Sequence, residues 1–202
     1  KSGNADNGSA SDADIDAAFA LIMASKQWDN ATYLNDAKTL ISWMKSKDME
    51  SDGRVKAGSN WNPALNPSYV IPAAFKLFAD VTGDSFWETA VSTNLKHLSQ
   101  CQNATSGLMP DWCDWSSHKA ADNTGAAVSG GKGGFFDDAA RTPWRMAMAY
   151  NWYGIKEAKQ ANDNNVPRLE KSTYAEANKT LPSNSRNGPT SPYAILTTTT
   201  SL

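Results

Sequence analysis

Three carboxylates, Asp12, Asp14 and Asp16, stand at the opening of a helical pattern, and a second acidic turn, Phe135-Phe-Asp-Asp-Ala-Ala-Arg141, comes late in the chain. The first turn of a helix has free N–H groups and a favourable dipole, so acidic residues there are stabilised. Simple capping would use one or two of the three. The second turn is sharper. Asp138 and Arg141 are spaced to lie one turn apart, just before Thr142-Pro143. A guanidinium can orient a carboxylate through paired N–H donors. A positioned Asp is what a general base needs when it draws a proton from water. The plain alternative is a structural Asp–Arg cap pair.

Aromatic residues are the third chemical element. The chain has eight Trp. Sugar rings present apolar faces that stack on such side chains. The candidates in loops are Trp61, Tyr69, Trp112 and Trp115, with Tyr69 fitting a core position equally well. Trp28, Trp43, Trp87 and Trp152 follow helical spacing and are expected in the core. Together the acidic turns and loop aromatics point to a carbohydrate site. His97 and His118 are isolated from any nucleophile or metal-ligand pattern. No EF-hand spacing occurs among the Asp and Asn residues. Gly130 to Gly134 lacks the Lys-Ser/Thr of a phosphate cradle. The expectation is therefore no metal and no organic cofactor.

The 202 residues suffice for one domain with a sizeable core. Net charge is −2, and the 19 Lys and Arg are scattered. Without a basic stripe, nucleic acid is not an expected partner. No apolar run approaches the roughly 20 residues that span a bilayer, so no membrane partner is expected either. Cys101 and Cys113 are too few for a zinc site and too far apart for a Cys-x-x-Cys pair. They fit either a disulfide closing a short loop, which export would preserve, or two free structural thiols. The composition, rich in Asn, Ser, Thr, Ala and Asp, suits a secreted bacterial protein.

The positioning elements read as helices joined by long polar loops. Ser11 is placed to cap the first helix, with Asp14 completing a capping box, and the helix ends near Trp28. A second runs through Tyr33 to Met44, capped at Asp29-Asn30. Val55 reads as a short strand beside the Ser51-Asp-Gly-Arg54 turn. Pro72 opens a third helix that stops at Thr82-Gly-Asp84. A fourth holds Phe86 to Leu98. Gln102 to Gly134 is irregular, and such length in a compact domain implies a site. Residues 142–158 read as a fifth helix, 161–168 as a linker and 169–177 as a short sixth. No strand–helix alternation appears, so the fold class is all-α.

Four segments carry a resemblance. Residues 10–28, ASDADIDAAFALIMASKQW, resemble the signature helix of glycoside hydrolase family 8. Asn66-Pro-Ser-Tyr69, Pro110-Asp-Trp112 and residues 136–145, FDDAARTPWR, are similar to further segments of that family in the same order. The resemblance implies part of an (α/α)6 barrel with long active-site loops. It also implies inverting hydrolysis of a β-1,4-linked polysaccharide such as cellulose, xylan, chitosan or mixed-linkage glucan, with a cellulase-type assignment slightly preferred over xylanase. By that likeness Asp138 is the base, Arg141 its partner, and Asp12 the residue that helps distort the sugar. Tyr69 lies near the attacking water, Trp112 stacks on substrate, and Asp14 makes a nearby contact. The family's proton donor is a Glu on a segment before the signature helix. The glutamates here are Glu50, Glu88, Glu157, Glu170 and Glu176, none in a matching position. Residues 1–202 are thus expected to be a partial catalytic domain lacking the barrel's first helices, with its last ones in question. A complementary polypeptide segment would supply the Glu. The competing reading is a carbohydrate-binding or structural fragment without turnover.

Overall fold

The computed structural model describes residues 8–60, 62–121 and 134–169. Among these residues there are six α-helices and no sheet: α1 Ser11–Gln27, α2 Ala31–Lys47, α3 Pro72–Thr82, α4 Phe86–Cys101, α5 Thr142–Tyr153 and α6 Lys156–Leu169. Each even-numbered helix packs on the odd-numbered helix before it, and α3 also packs on both α1 and α5. The odd helices therefore make one layer and the even helices back it, an arrangement that forms part of an (α/α) toroid. None of the described helices is long and apolar enough to cross a membrane.

Helical spacing of apolar residues generates the layers. Ile15, Ala18 and Ile22 bury one stripe of α1, and Ala37, Ile41 and Met44 bury the facing stripe of α2. Between α3 and α4 the contact is aromatic. Trp87 stacks on Phe75 with centroids 5.7 Å apart and meets Phe78 edge-on at 5.1 Å. All three rings are fully buried, each worth about 1.5–3 kcal/mol. Asn30 caps α2 by accepting from the Thr32 N–H, and Pro72 occupies the first turn of α3.

Several expectations change. Ser11 is not the cap of α1. Ala10 holds that position without a side-chain bond, Ser11 is already helical and buried, and its own N–H donates to the Ala57 carbonyl. The fifth helix stops at Tyr153 because Gly154 takes a left-handed φ of 66°, where a glycine costs least. The expected linker 161–168 is instead part of α6. The expected sixth helix, 169–177, falls almost wholly outside the described residues. Val55 forms only an isolated bridge with Met49. Of the four Trp expected in the core, only Trp87 is there; Trp28, Trp43 and Trp152 are 67%, 41% and 52% exposed. Helical spacing places a residue on a face but does not say that another element covers that face.

The loop after α4 is tied down at several points. Cys101 and Cys113 are joined by a disulfide with Cα atoms 6.0 Å apart, 12 positions apart in sequence. Cys113 also exchanges backbone hydrogen bonds with Leu65, linking the loop to the segment that precedes α3. Gln102 Nε2 donates to the carbonyls of Gly107 and Ala161. Closing a loop of this length stabilises a chain by about 3 kcal/mol. Reduction with dithiothreitol should lower the denaturant-unfolding free energy by about that amount. An unchanged midpoint would show that the hydrogen bonds alone hold the loop.

Candidate active site

Arg141 stands at the end of a 3-10 turn, Ala139–Arg141, that leads directly into α5. Its Nη1 donates to Asp12 Oδ2 at 2.9 Å, and its Nη2 donates to Asp138 Oδ1. One guanidinium thus joins the first turn of α1 to the turn before α5. Four residues further along both helices the pattern repeats. Arg145 grips Asp16 with two bonds, Nη1 to Oδ1 at 2.8 Å and Nη2 to Oδ2 at 2.6 Å. Phe19 then stacks on Trp152 with centroids 5.7 Å apart. Because both members of each pair advance together, α1 and α5 run in the same direction along this seam.

The two arginines differ in exposure. The Arg145 side chain is nearly sealed, with its guanidinium face against Trp144, although its partner Asp16 is 47% exposed. At the other arginine, the side chains of Arg141, Asp12 and Asp138 remain 34%, 14% and 29% exposed. That cluster is open to water and to a ligand. Asp137, beside Asp138, is on the exposed surface and takes no part in it.

Asp138 is held on both oxygens. While Arg141 takes Oδ1, Asn66 Nδ2 donates to Oδ2 at 2.8 Å. Asn66 is buried and cannot turn, because its Oδ1 accepts from both the N–H and the hydroxyl of Ser68. This asparagine precedes a second 3-10 turn, Pro67–Tyr69, which delivers Tyr69 to the same place. The Arg141 guanidinium lies 5.7 Å from the centre of the Tyr69 ring. Burial, then the negative charges of Asp12 and Asp138, push the Tyr69 phenol up to about 12. It therefore stays protonated at ordinary pH and can donate a hydrogen bond.

A support lies beneath Asp138. Asp111 is buried, and its Oδ1 accepts from the backbone N–H groups of Phe136 at 2.9 Å and Ala139 at 2.7 Å. It clamps the turn that presents Asp138. Burial above all pushes its carboxyl up to about 7, with the charges of Asp138 and Asp137 adding to the rise. Trp112, the next residue, is only 5% exposed and lies 6.1 Å from Tyr69, so it backs that ring rather than offering a broad free face.

The structure thus brings Asp12, Arg141, Asp138, Tyr69 and Trp112 together. Trp115 is elsewhere, edge-on to His97 of α4 and beneath Arg54. Asp14 turns toward Asp48 instead of the cluster. Trp61 lies outside the described residues. Sequence reasoning assigned nothing to Asn66 or Asp111. Asn before Pro, and an Asp inside an apolar Leu-Met-Pro-Asp-Trp run, were the available signals.

Asp111 yields a test. A carboxyl raised to about 7 in the fold from an ordinary 3.8 favours the protonated form on folding. Its contribution to stability is present below about pH 4 and is lost as pH climbs through about 7. Asp111→Asn keeps an acceptor and never ionises, so it should flatten this part of the pH dependence of the unfolding free energy. Asp111→Ala leaves two N–H groups unpaired and should cost about 2–4 kcal/mol by denaturant unfolding. An Asn variant whose profile parallels the wild type would refute the assignment.

Comparison with known proteins agrees with the resemblance. The family model for Glycosyl hydrolases family 8 matches residues 1–198. The chain is 37% identical over 158 residues to Endoglucanase C of Ruminiclostridium cellulolyticum, covering 75% of this chain and 33% of that protein. It is 35% identical over 161 residues to Endoglucanase A of Acetivibrio thermocellus, covering 76% and 32%. The chain therefore spans about a third of the length of these curated relatives. Among solved structures, a beta-1,3-1,4-glucanase from Paenibacillus sp. X4 superposes with a TM-score of 0.82 at 22% identity, over 96% of this chain and 56% of that one. A reducing-end xylose-releasing exo-oligoxylanase superposes with a TM-score of 0.69, also at 22% identity, over 82% and 46%. With a family match that takes in both halves of the Asp12–Arg141–Asp138 cluster and a shared helical fold, the chain belongs to glycosyl hydrolase family 8.

Proposed function

We propose that the protein carrying this chain hydrolyses internal β-1,4 bonds of a glucan- or xylan-type polysaccharide with inversion at the anomeric carbon. The observation that carries this reading is the water-accessible Asp138, gripped by Arg141 and Asn66 and joined through Arg141 to Asp12. Each oxygen of Asp138 accepts one bond and keeps a lone pair. One lone pair can take a proton from a water as that water attacks the sugar. Arg141 fixes the direction of the carboxylate. Asp12 and the neutral Tyr69 phenol hold the distorted ring by hydrogen bonds, and Trp112 stiffens Tyr69 from behind. The endoglucanase names of the relatives favour a glucan over xylan.

Inversion needs an acid across the bond, with its carboxyl about 6.5–9.5 Å from the base. Among the described residues, Glu50 accepts from Asn62, Glu88 pairs with Lys76 and Glu157 is exposed in the first turn of α6, all three apart from the cluster. The acid in this proposal is a Glu on a complementary polypeptide segment, which approaches the substrate from the face opposite Asp138. The chemistry requires no metal or organic cofactor. The Cys101–Cys113 bond supports a place outside the bacterial cytoplasm, where disulfides persist.

The protein should release reducing sugar from carboxymethyl cellulose, lichenan or xylan, and NMR of the first products should show the α-anomer. Asp138→Asn should lower kcat by about 10³-fold or more, with a modest fall in Tm because its NH2 faces the donor that Asp138 Oδ2 accepted from. A loss of less than about tenfold for Asp138→Ala would remove Asp138 as the base. Binding to these glycans without any release of sugar would favour the non-catalytic alternative.

A further inference from the structure

Asp48 ends α2 and is fully buried. Every other polar atom of this residue has a partner. Its N–H donates to Met44, its carbonyl accepts from Lys56 N–H at 2.8 Å, and its Oδ1 accepts from the Ser9 hydroxyl at 2.7 Å. Its Oδ2 is buried with no donor. So is Oδ2 of Asp14, whose side chain is the hydrogen-bonding neighbour of Asp48. Two buried acceptors side by side repel unless a proton lies between them. A proton there makes an O–H···O⁻ bond, which is among the strong, short kinds. It removes both unsatisfied acceptors at once.

The place of this pair matters more than its charge. Asp14 is in the first turn of α1, two residues from Asp12, and Asp48 is at the junction between α2 and the 55–59 loop. Ser9 and Ser59 exchange bonds at that junction, Ser9 N–H to Ser59 Oγ and Ser59 N–H to Ser9 Oγ, both at 3.1 Å. Ser11 N–H donates to Ala57. No side-chain cap fastens the start of α1. Asp14–Asp48 is thus the side-chain fastening on this turn from the α2 side, as Asp12–Arg141 is from the α5 side.

We propose that Asp14 and Asp48 share one proton, and that this pair positions the first turn of α1 so that Asp12 meets Arg141. Asp48 is a positioning residue that acts through Asp14 and α1. The groups facing it are the Asp14 carboxyl from α1, the Ser9 hydroxyl before α1 and the Lys56 ammonium from the loop. Burial first, then the Asp14 charge, pushes the Asp48 carboxyl up to about 6, against the pull of Ser9 and Lys56. The shared proton is therefore held well above the ordinary carboxylate range and is lost as pH rises through about 6. Stability from the pair is present below about pH 4 and declines across that interval.

Carboxyl ¹³C NMR of the Asp-labelled protein tests the sharing directly. The Asp48 signal should titrate with a midpoint near 6; an ordinary Asp48 midpoint near 3.8 would overturn the proposal. Asp48→Asn gives Asp14 a permanent donor. Its Tm should fall less than the wild type's between about pH 5 and about pH 8, by about 5 °C. Asp48→Ala removes the titrating carboxyl too but gives Asp14 no donor, so its Tm should lie below that of Asp48→Asn at every pH. Amide exchange reads the positioning. Wild-type protection at Ala13 to Ile15 should drop about tenfold over the same interval and stay level in Asp48→Asn. Protection independent of pH in the wild type would refute the positioning role. None of these readouts needs turnover, so they stand or fall separately from the glycan-hydrolysis reading, on which only the function of Asp12 rests.

Discussion

One guanidinium sets the geometry of the candidate site. Arg141 spans two carboxylates far apart in sequence, Asp12 in α1 and Asp138 before α5. A cation between two anions brings close together charges that would otherwise repel, and it fixes each in direction. Partial burial raises both the strength of the contacts and the cost of leaving any one of them unmade. The surrounding structure meets that cost. Asn66 takes the second oxygen of Asp138, and Arg145 with Asp16 locks the same two helices one turn deeper.

The second requirement is that irregular backbone must hold still. The turn carrying Asp138 comes from a loop, and loops supply few bonds of their own. Asp111 provides them by accepting from two of the turn's N–H groups. The disulfide and the Leu65–Cys113 bridge fasten the same loop to α4 and to the segment before α3. Asn94 of α4 does the equivalent for the 53–55 turn, donating to the Gly53 carbonyl and accepting from the Val55 N–H. Packed helices thus act as a rigid frame, and a small number of buried polar side chains transmit that rigidity to the turns.

Much of this was legible in the residues. The helices announced themselves by apolar spacing and by stop signals such as Thr82-Gly83-Asp84, and the Asp138–Arg141 pair by its spacing of one turn. Other features were not. Trp152 has helical spacing, yet it is half exposed against Phe19 because no other described element covers it. Gly154 divides α5 from α6 through one left-handed residue inside an otherwise continuous helical pattern. Asn66 reaches Asp138 across 72 positions, and local spacing is silent about that separation. Asp14 looked like part of a capping box, whereas burial beside Asp48 gives it a different partner.

The sequence by itself determined the all-α class, the family and the identity of the acidic turns, because helical periodicity and ordered motifs are local properties of the chain. Tertiary structure decided which acids meet and which stand apart. Asp12 and Asp138 meet at Arg141, Asp16 is taken by Arg145, Asp14 faces Asp48, and Asp137 points to solvent. The five have the same chemistry as free side chains. What separates them is the partner and the degree of burial that folding assigns to each, and both depend on residues too distant in sequence for spacing to reveal.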